Sequence, residues 1–277
     1  MSVDLEFFAK FPMLISAVSA APIRIGLYHR RIRPEGILTH KVTFNFYRHI
    51  SDIYLAYASG LNLTVMPEDY MSVLPSFREE LEESLRSRLQ LMKSERIILI
   101  NVNSGDLFAF RKWPEQNFVS LLELLTDHHP EYTYLLIGSK SEHAYVEGIS
   151  NKVAKRNARI INCAGNTTLK ELFALIELAE LVITNDSGPL HIASLYGKNL
   201  AAFFGPETPV LYGPVNKNSL SFYPDNLYCS PCMCVYDSKQ SLYAETCEKN
   251  VCLSSITPEK VATELEKHFF YAPVNTP

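Results

Sequence analysis

The sequence has no excess of basic residues. Its 277 residues include 26 lysines and arginines against 30 aspartates and glutamates, which gives a formal net charge of −4, and the pI is about 6.1. A nucleic-acid-binding domain usually carries a basic patch and has a pI above about 9. The composition therefore excludes a chain built around nucleic-acid binding, and we expect no nucleic-acid partner.

Long uninterrupted apolar runs are also missing. No stretch approaches the roughly 20 apolar residues that a membrane-spanning helix needs. Phe7 to Pro22 is apolar and ends in small residues, as a secretory signal does. However, Asp4 and Glu6 stand where a signal carries lysine or arginine, and Lys10 interrupts the run. The pattern predicts a cytoplasmic protein that touches the inner membrane at most peripherally.

Internal repeats and low-complexity segments are absent, and the composition is that of an ordinary globular protein, 47% hydrophobic and 20% charged. A chain of this length exceeds the usual single domain, so we predict two. Residues 1–92 form a partial N-terminal domain with a connecting helix, and residues 93–277 form the C-terminal domain. The first ninety residues predict only one strand, Arg24 to Leu27, between helices over 5–18 and 45–61, with a charged helix over 78–92.

The second half alternates short apolar runs with helical patterns. Ile97 to Ile100 is a continuous apolar run, which is typical of a strand buried on both faces. Strands that alternate with helices need crossover connections, so the pattern predicts a parallel sheet with helices on both faces. The predicted strands cover 97–100, 133–137, 159–161, 181–183 and 200–204, and the last helix covers about 257–270, after Thr257 as N-cap.

The most specific motif is Thr184 to His191, which reads Thr-Asn-Asp-Ser-Gly-Pro-Leu-His and joins a predicted strand to a helix. Ligands of open α/β sheets bind at the carboxyl ends of the strands. Ser187 suits an N-cap and Gly188 lets a ligand approach the backbone. The helix N–H groups favour an anion such as a pyrophosphate, with the His191 imidazole one turn inside. The alternative is an ordinary capped helix with no ligand.

Two further loops follow predicted strands in the same way. Asn103-Ser104-Gly105 precedes Arg111 and Lys112, and small residues beside cations can hold a phosphate. Glu142 lies just past the next strand, where an acidic residue can accept hydrogen bonds from ribose hydroxyls. Each signal alone is weak, because the first also fits an exposed basic pair and the second an ordinary surface carboxylate.

Several motifs follow one another in a definite order along the chain. They are Asn103 with Arg111-x-Trp113-Pro114, Gly138-x3-Glu142, Gly165 to Leu172, Thr184 to His191, Phe204 to Pro209 and Tyr212 to Pro214. In residue identity and order they resemble the motifs of glycosyltransferase family nine, the heptosyltransferases of lipopolysaccharide core assembly. The resemblance is dense from about residue 96 onward, and upstream Asp4 to Glu6 and Arg24 to Gly26 resemble the second half of the family's N-terminal domain.

The resemblance implies a GT-B fold, in which two Rossmann-like domains face each other across a cleft. The C-terminal domain of such enzymes binds a nucleotide sugar, typically ADP-heptose, and the N-terminal domain receives a glycolipid or oligosaccharide acceptor. The implied reaction is an inverting sugar transfer. Neither a metal nor another cofactor is expected, because helix N–H groups and cations neutralise the leaving pyrophosphate.

The resemblance also assigns roles to particular residues. Arg111, two residues before the tryptophan, would contact a phosphate, and Glu142 would hold the ribose. The Asp-Ser-Gly loop and its histidine would flank the diphosphate and the sugar. The donor-binding residues implied in this way are Asn103, Ser104, Arg111, Glu142, Asp186, Ser187, Gly188 and His191.

The family's opening strand, Gly-Asp loop and two βα units have no counterpart in these residues. Family members place the general base, an aspartate, in that loop, so no catalytic residue is assigned here. We expect donor binding but little transfer by these 277 residues alone. Two other functions stay open: a non-catalytic nucleotide-sugar-binding remnant, and a GT-B nucleotide-sugar epimerase that uses the same donor pocket.

Cysteine is concentrated near the C-terminus. Cys163 stands alone, while Cys229, Cys232, Cys234, Cys247 and Cys252 share one window. Four thiolates at such spacing can form a structural zinc site. The window does not hold two regular Cys-x2-Cys pairs, so the sequence favours free thiols and predicts no stoichiometric metal.

Overall fold

The chain is an α/β protein with parallel sheets, as the sequence predicts. A computed structural model describes residues 1–6, 10–29, 36–65, 74–105, 109–153, 158–224, 226–232, 247 and 250–270. The chain divides into two compact units. The first holds the described residues up to 65 together with 210–212, and the second holds the other described residues from 74 onward. In the described part of the chain, no helix has the length and apolar character needed to cross a membrane.

The first unit is built on a three-stranded parallel sheet in the order β1-β2-β3. Its central strand is the most buried, with Ile25 and Leu27 inaccessible to solvent. The phenol of Tyr57 donates a buried hydrogen bond of 2.7 Å to the carbonyl of Asp4, which ties the last helix to the edge strand. The elements are β1 (Ser2–Asp4), α1 (Lys10–Val18), β2 (Arg24–Tyr28), β3 (His40–Thr43) and α2 (Ile50–Gly60).

Two of these three strands carry no sequence signal. The strand at Arg24 is confirmed, whereas β1 and β3 are additional. Both are only three or four residues long, and a period-two pattern cannot be recognised in so short a segment. Pairing with β2 defines them, because it supplies hydrogen-bond partners that the local sequence does not specify.

The second unit is built on a six-stranded parallel sheet in the order β6-β5-β4-β7-β8-β9. All five strands predicted for this half are present, and β9 is additional. The elements along this part of the chain are α3 (Arg78–Arg88), β4 (Arg96–Asn101), α4 (Glu115–His128), β5 (Tyr132–Ile137), α5 (His143–Lys152), β6 (Arg159–Asn162), α6 (Leu169–Leu178), β7 (Leu181–Asn185), α7 (Gly188–Leu195), β8 (Asn199–Phe203), α8 (Pro209–Tyr212), β9 (Ser219–Phe222), α9 (Val251–Ser254) and α10 (Pro258–Leu265), which a π-helical turn at Glu266–Phe270 extends. Of these, α8 lies almost wholly in the first unit, to which residues 210–212 belong.

The strands at the centre of this sheet are buried on both faces. Every residue of β5 and β7 is buried, as is β4 after its first residue. Helix α4 covers the sheet with the apolar stripe that the sequence predicts, and Phe118, Leu121 and Leu122 are at most 1% exposed. Both faces of a parallel sheet must be covered by helices, which explains the continuous apolar runs of these strands.

The strand order changes direction between β4 and β7. From β4 the chain moves outward to β5 and β6, then returns to the other side of β4 with β7, β8 and β9. The loops after β4 and β7 therefore leave the sheet side by side but lead away in opposite directions. A crevice opens at such a switch point, outside the carboxyl ends of the strands, and ligands of open α/β folds bind there.

Helix α6 begins with a complete capping box. The Oγ1 atom of Thr168 accepts a hydrogen bond from the Glu171 backbone N–H at 3.3 Å, and the Glu171 carboxylate accepts one from the Thr168 N–H at 2.7 Å. Arg88 of α3 also pairs with Glu171, at 2.7 Å. Burial acts to raise the pKa of Glu171, but these hydrogen bonds outweigh it and hold the pKa below its ordinary value.

Replacing Thr168 with alanine should lower the free energy of unfolding by about 0.5–2 kcal/mol, because the helix N-terminus loses its side-chain acceptor. The loss should be smaller in acid. The lowered pKa means that the carboxylate stabilises the fold above its unfolded-state pKa, and this contribution disappears as the pH falls through the folded-state pKa. Urea denaturation of Thr168→Ala beside Thr167→Ala measures both effects. An equal loss in the two variants would contradict the capping role.

Candidate functional site

A buried amide network joins the loops that leave β4 and β7. The Asn101 side-chain amide lies 2.8 Å from Ser187 Oγ, 3.1 Å from Thr184 Oγ1 and 3.0 Å from the Asn103 carbonyl, and donates to this cluster of acceptors. From the other strand, the Asn185 amide donates to the same Asn103 carbonyl at 3.1 Å. The two loops at the switch point therefore hold each other in one conformation.

Ser187 occupies the N-cap position of α7 but does not cap it with its side chain. The predicted N-cap position is confirmed, but the hydroxyl forms no cap hydrogen bond, because it contacts Asn101 and donates to the Asn185 carbonyl at 3.0 Å. The Ser187 side chain therefore accepts no hydrogen bond from the N–H groups in the first turn of α7. A Cβ added at Gly188 would meet none of the described atoms within 4 Å, so the space beside this turn is open.

Trp113 anchors the loop that follows β4. Its indole is fully buried and stacks on Phe203 of β8 at 4.3 Å between ring centroids, with Phe118 edge-on at 4.9 Å. Its backbone N–H donates to Asn185 Oδ1 at 2.8 Å, and its indole N–H donates to the Ile256 carbonyl at 2.9 Å. Four separate segments therefore hold this one residue.

Arg111, two residues before the tryptophan, pairs with Asp186. Its Nη2 atom lies 2.5 Å from Asp186 Oδ2 and donates to the Asp186 carbonyl at 2.6 Å. The Asp186 side chain is about 5% exposed and that of Arg111 about 20%. The Nε atom of Arg111 is buried and donates no hydrogen bond within the described part of the chain. The neighbouring Lys112 is used differently, because its ammonium group lies over the Tyr145 ring at 4.8 Å.

Gly138, at the end of β5, makes room for two predicted site residues. A Cβ there would lie 2.6 Å from the Asn103 side-chain nitrogen and 3.3 Å from Glu142 Oε2. The Asn103 amide donates to the Ile137 carbonyl at 3.1 Å, and its Oδ1 is buried without a hydrogen bond from any described residue. Glu142 is buried, and its carboxylate accepts a hydrogen bond from the Ser139 N–H at 2.7 Å.

The structure brings most of the predicted donor-site residues to this edge of the sheet. Asn103, Arg111, Asp186 and Ser187 belong to the connected loops after β4 and β7, and Glu142 approaches Asn103 across Gly138. Ser104 follows Asn103 in the first loop, and the half-exposed His191 lies on the first turn of α7. Their individual roles toward a ligand remain predictions.

Asn101 and Asn185 were missing from the predicted site. Each is the last residue of an otherwise apolar strand, β4 or β7, and each is at most 4% exposed. A polar amide at the end of such a strand is a usable sequence signal, because a buried amide must find hydrogen-bond partners. Here the partners are the two loops of the site.

A polar cavity of about 570 Å³ lies at the opposite, amino-terminal edge of the same sheet. Two of the cations that line it already have partners. Arg96 pairs with Glu180 at 2.8 Å, and the Lys198 ammonium donates to the Glu177 carbonyl at 2.8 Å. The carboxyl edge has an open helix N-terminus and buried polar atoms that receive no hydrogen bond from the described residues, so it is the better candidate site.

Residues 14–242 match the family model described as glycosyltransferase family 9 (heptosyltransferase). Among curated proteins, lipooligosaccharide heptosyltransferase 2 of Campylobacter jejuni is 26% identical over 205 residues, which cover 72% of this chain and 61% of the relative. The chain thus spans about three fifths of the length of that relative.

Solved structures match nearly the whole chain. The ADP-heptose lipopolysaccharide heptosyltransferase II of E. coli superposes with a TM-score of 0.70 at 20% identity, over 97% of this chain and 76% of that one. The E. coli heptosyltransferase WaaC with ADP superposes with a TM-score of 0.63 at 14% identity, over 97% and 73% of the two chains. At these identities the superpositions show the fold, which is that of the GT-B heptosyltransferases.

Replacing Gly138 with alanine should displace Asn103 and lower the free energy of unfolding by about 1–3 kcal/mol, because the new methyl group overlaps a buried amide. Gly148, within α5, is the matched control, since a Cβ there meets no described atom and alanine favours a helix by about 0.5–1 kcal/mol. Thermal unfolding of both variants tests the packing. Equal thermal midpoints for the two variants would show that the turn after β5 accommodates the added methyl group without loss of stability.

Proposed function

Because this chain belongs to glycosyltransferase family 9, the heptosyltransferases, we propose that it transfers a heptose from ADP-heptose to a lipid-linked saccharide of the lipopolysaccharide core. The E. coli relative whose name includes ADP-heptose supports this donor, and the E. coli relative with ADP supports this nucleotide. The acceptor class follows from the lipooligosaccharide named for the Campylobacter relative.

One observation carries the proposal. An arginine held by a buried carboxylate stands beside the first turn of α7, at the switch point of a parallel sheet. Its guanidinium is oriented before any ligand arrives, and its Nε is a buried donor that lacks an acceptor among the described residues. A buried polar atom without a partner needs an explanation, and a diphosphate oxygen supplies one.

In this proposal different residues bind different parts of the nucleotide sugar. The N–H groups of the first turn of α7 and the Arg111 guanidinium bind the diphosphate, since a helix N-terminus favours an anion. Asp186 orients Arg111, and His191 faces the sugar side. Asn103 and Glu142, brought together by Gly138, bind the ribose and its surroundings. The leaving diphosphate is stabilised as its charge develops, which is the electrostatic part of the catalysis.

We further propose an inverting transfer that needs no catalytic metal, carried out at the cytoplasmic face of the inner membrane. The fixed donors of α7 and Arg111 offset the charge that a divalent cation offsets elsewhere. The general base is assigned to the family's opening loop, outside these 277 residues. A chain that also carries that segment should therefore be more active than this one, since a positioned base contributes about 10²–10⁴ in rate.

Nucleotide binding tests the proposal first. ADP and ADP-heptose should raise the thermal midpoint, because a ligand at a hundred times its Kd stabilises the fold by about 2.7 kcal/mol. UDP and GDP are the matched controls. No stabilisation by any of these nucleotides, in a folded preparation, would contradict the donor site.

Transfer is assayed separately, with ADP-heptose and a heptose-deficient core glycolipid, for this chain and for one extended in frame by the family's opening segment. Heptosylated glycolipid from the extended chain supports the transferase. Donor binding without product from either chain favours the nucleotide-sugar-binding remnant, and release of an isomerised ADP-sugar favours the epimerase.

Arg111→Ala should weaken ADP binding about 10- to 150-fold, which corresponds to the 1.5–3 kcal/mol of a hydrogen bond to a charged group. Lys112→Ala is the control, because Lys112 is directed to the Tyr145 ring and should leave affinity nearly unchanged. Calorimetry on both variants, with Arg111→Lys to keep the charge without the planar fork, measures the effect. A larger loss for Lys112→Ala than for Arg111→Ala would reverse the assignment.

A further inference from the structure

The peptide group between Lys112 and Trp113 is held at both ends by asparagine side chains from distant parts of the chain. Its N–H, which belongs to Trp113, donates to Asn185 Oδ1 at 2.8 Å. Its C=O, which belongs to Lys112, accepts a hydrogen bond from the Asn250 side-chain amide at 3.1 Å. Asn185 ends β7, whereas Asn250 directly precedes α9. The two side chains thus form an asparagine clamp on one peptide plane.

Asn250 stands on an anchored turn. Its backbone lies in the left-handed region, with φ 41° and ψ 44°, which asparagine adopts more readily than most residues. Its carbonyl accepts a hydrogen bond from the Ser254 N–H at 2.9 Å. Leu253, on the same turn, is inaccessible to solvent and belongs to the hydrophobic core of the second unit. The Asn250 amide is therefore presented from a fixed point.

Cys252 sets the orientation of the Asn250 amide. Its thiol donates to Asn250 Oδ1 at 3.5 Å. Burial raises the pKa of this thiol to about 11, so the thiol keeps its proton at neutral pH and remains a donor. The amide oxygen therefore faces the thiol, and the amide nitrogen faces the Lys112 carbonyl, which can only accept. This is the orientation that the clamp needs.

The clamp lies directly beside Arg111. Because a peptide bond is planar, only the φ and ψ torsions of Lys112 separate the clamped peptide group from the Arg111 Cα. The guanidinium at the far end of this side chain is held by Asp186, whose carbonyl oxygen lies 2.6 Å from Nη2 and whose Oδ2 lies 2.5 Å from it. Asp186 follows Asn185 in the chain, so one strand end holds both the peptide group and the guanidinium.

We propose that Asn185 and Asn250 are positioning residues, which hold the backbone beside Arg111 so that its guanidinium meets a phosphate of the bound nucleotide. The inference rests on the proposed function for its ligand. Neither asparagine acts by touching the nucleotide. Loss of either contact frees the peptide group to rotate, and the guanidinium is then less well oriented before the ligand arrives, which lowers affinity. None of the sequence motifs includes Asn250.

Substitution of Asn250 tests the proposal, since Asn185 is fully buried and its variants can fail to fold. Asn250→Gly removes the amide, and glycine tolerates the left-handed backbone. Asn250→Asp keeps an oxygen beside Cys252 but has no N–H to donate. Each variant should weaken ADP binding about 3- to 10-fold, as the loss of one hydrogen bond predicts. Calorimetry measures the affinity.

Asn216 is the matched control, with the same two substitutions. Its half-buried side chain also donates to the backbone carbonyl of a lysine, Lys198, at 2.7 Å, but at the amino-terminal edge of the sheet. Asn216→Gly and Asn216→Asp should therefore leave ADP affinity unchanged.

Coupling to Arg111 distinguishes positioning from a general loss of stability. In an Arg111→Ala background, Asn250→Gly should change ADP affinity by less than about twofold, because no guanidinium is left to position. An asparagine with a merely structural role would weaken binding by the same factor in both backgrounds. Without nucleotide, hydrogen exchange of the Trp113 N–H should be about 3- to 10-fold faster in Asn250→Gly and unchanged in Asn216→Gly.

Undiminished ADP affinity in the Asn250 variants would overturn the proposal, and so would equal losses with and without Arg111. A loss in only one of the two Asn250 variants would reflect its charge or its flexibility, and would also count against the clamp. If the native chain bound no ADP, the donor site itself would fail, and hydrogen exchange alone would decide on the clamp. Faster exchange at Trp113 would then support it, and unchanged exchange would overturn it.

Discussion

The burial of Trp113 is the constraint on which the candidate site depends. Its indole fills the space between β8 and α4, while its two N–H groups are used by Asn185 and by the Ile256 carbonyl. A buried aromatic pair contributes about 0.5–1.5 kcal/mol beyond its area, and each hydrogen bond contributes about 1 kcal/mol. These terms fix the loop after β4, and Arg111 is positioned because the residue two places further along cannot move.

The asparagines extend this constraint to the other loop. Asn101 and Asn185 end neighbouring strands. The side-chain amide of each donates hydrogen bonds to a hydroxyl or backbone carbonyl of the opposite loop. A buried amide that lost its partners would cost about 1–3 kcal/mol, so the network resists any movement that separates the loops. The ion pair of Arg111 with the buried Asp186 is a further link between the two loops. The site is rigid where a diphosphate would need fixed donors.

A C-terminal segment, residues 250–256, supports the loops of this site. Residues 250–256 contact the loop after β4 through Asn250 and the Ile256 carbonyl, and contact the loop after β8 through Cys252. Leu253 and Ile256 also belong to the buried hydrophobic core, so packing as well as hydrogen bonding holds this segment in place.

The sequence by itself determined the alternation of strands and helices in the second unit. It also determined that the candidate site lies at the carboxyl edge of that sheet. Strands buried on both faces leave continuous apolar runs, and a loop with Asp-Ser-Gly between strand and helix is recognisable because its spacing is local. Short strands such as β1, β3 and β9 left no such trace, since pairing rather than pattern defines them. Only the tertiary structure decided that Ser187 faces Asn101, that Arg111 pairs with a carboxylate 75 residues away, and that Ser230 and Cys252 both lie against Gly205. Each of these contacts joins distant residues, and a linear pattern carries no information about which long-range partners the fold brings together.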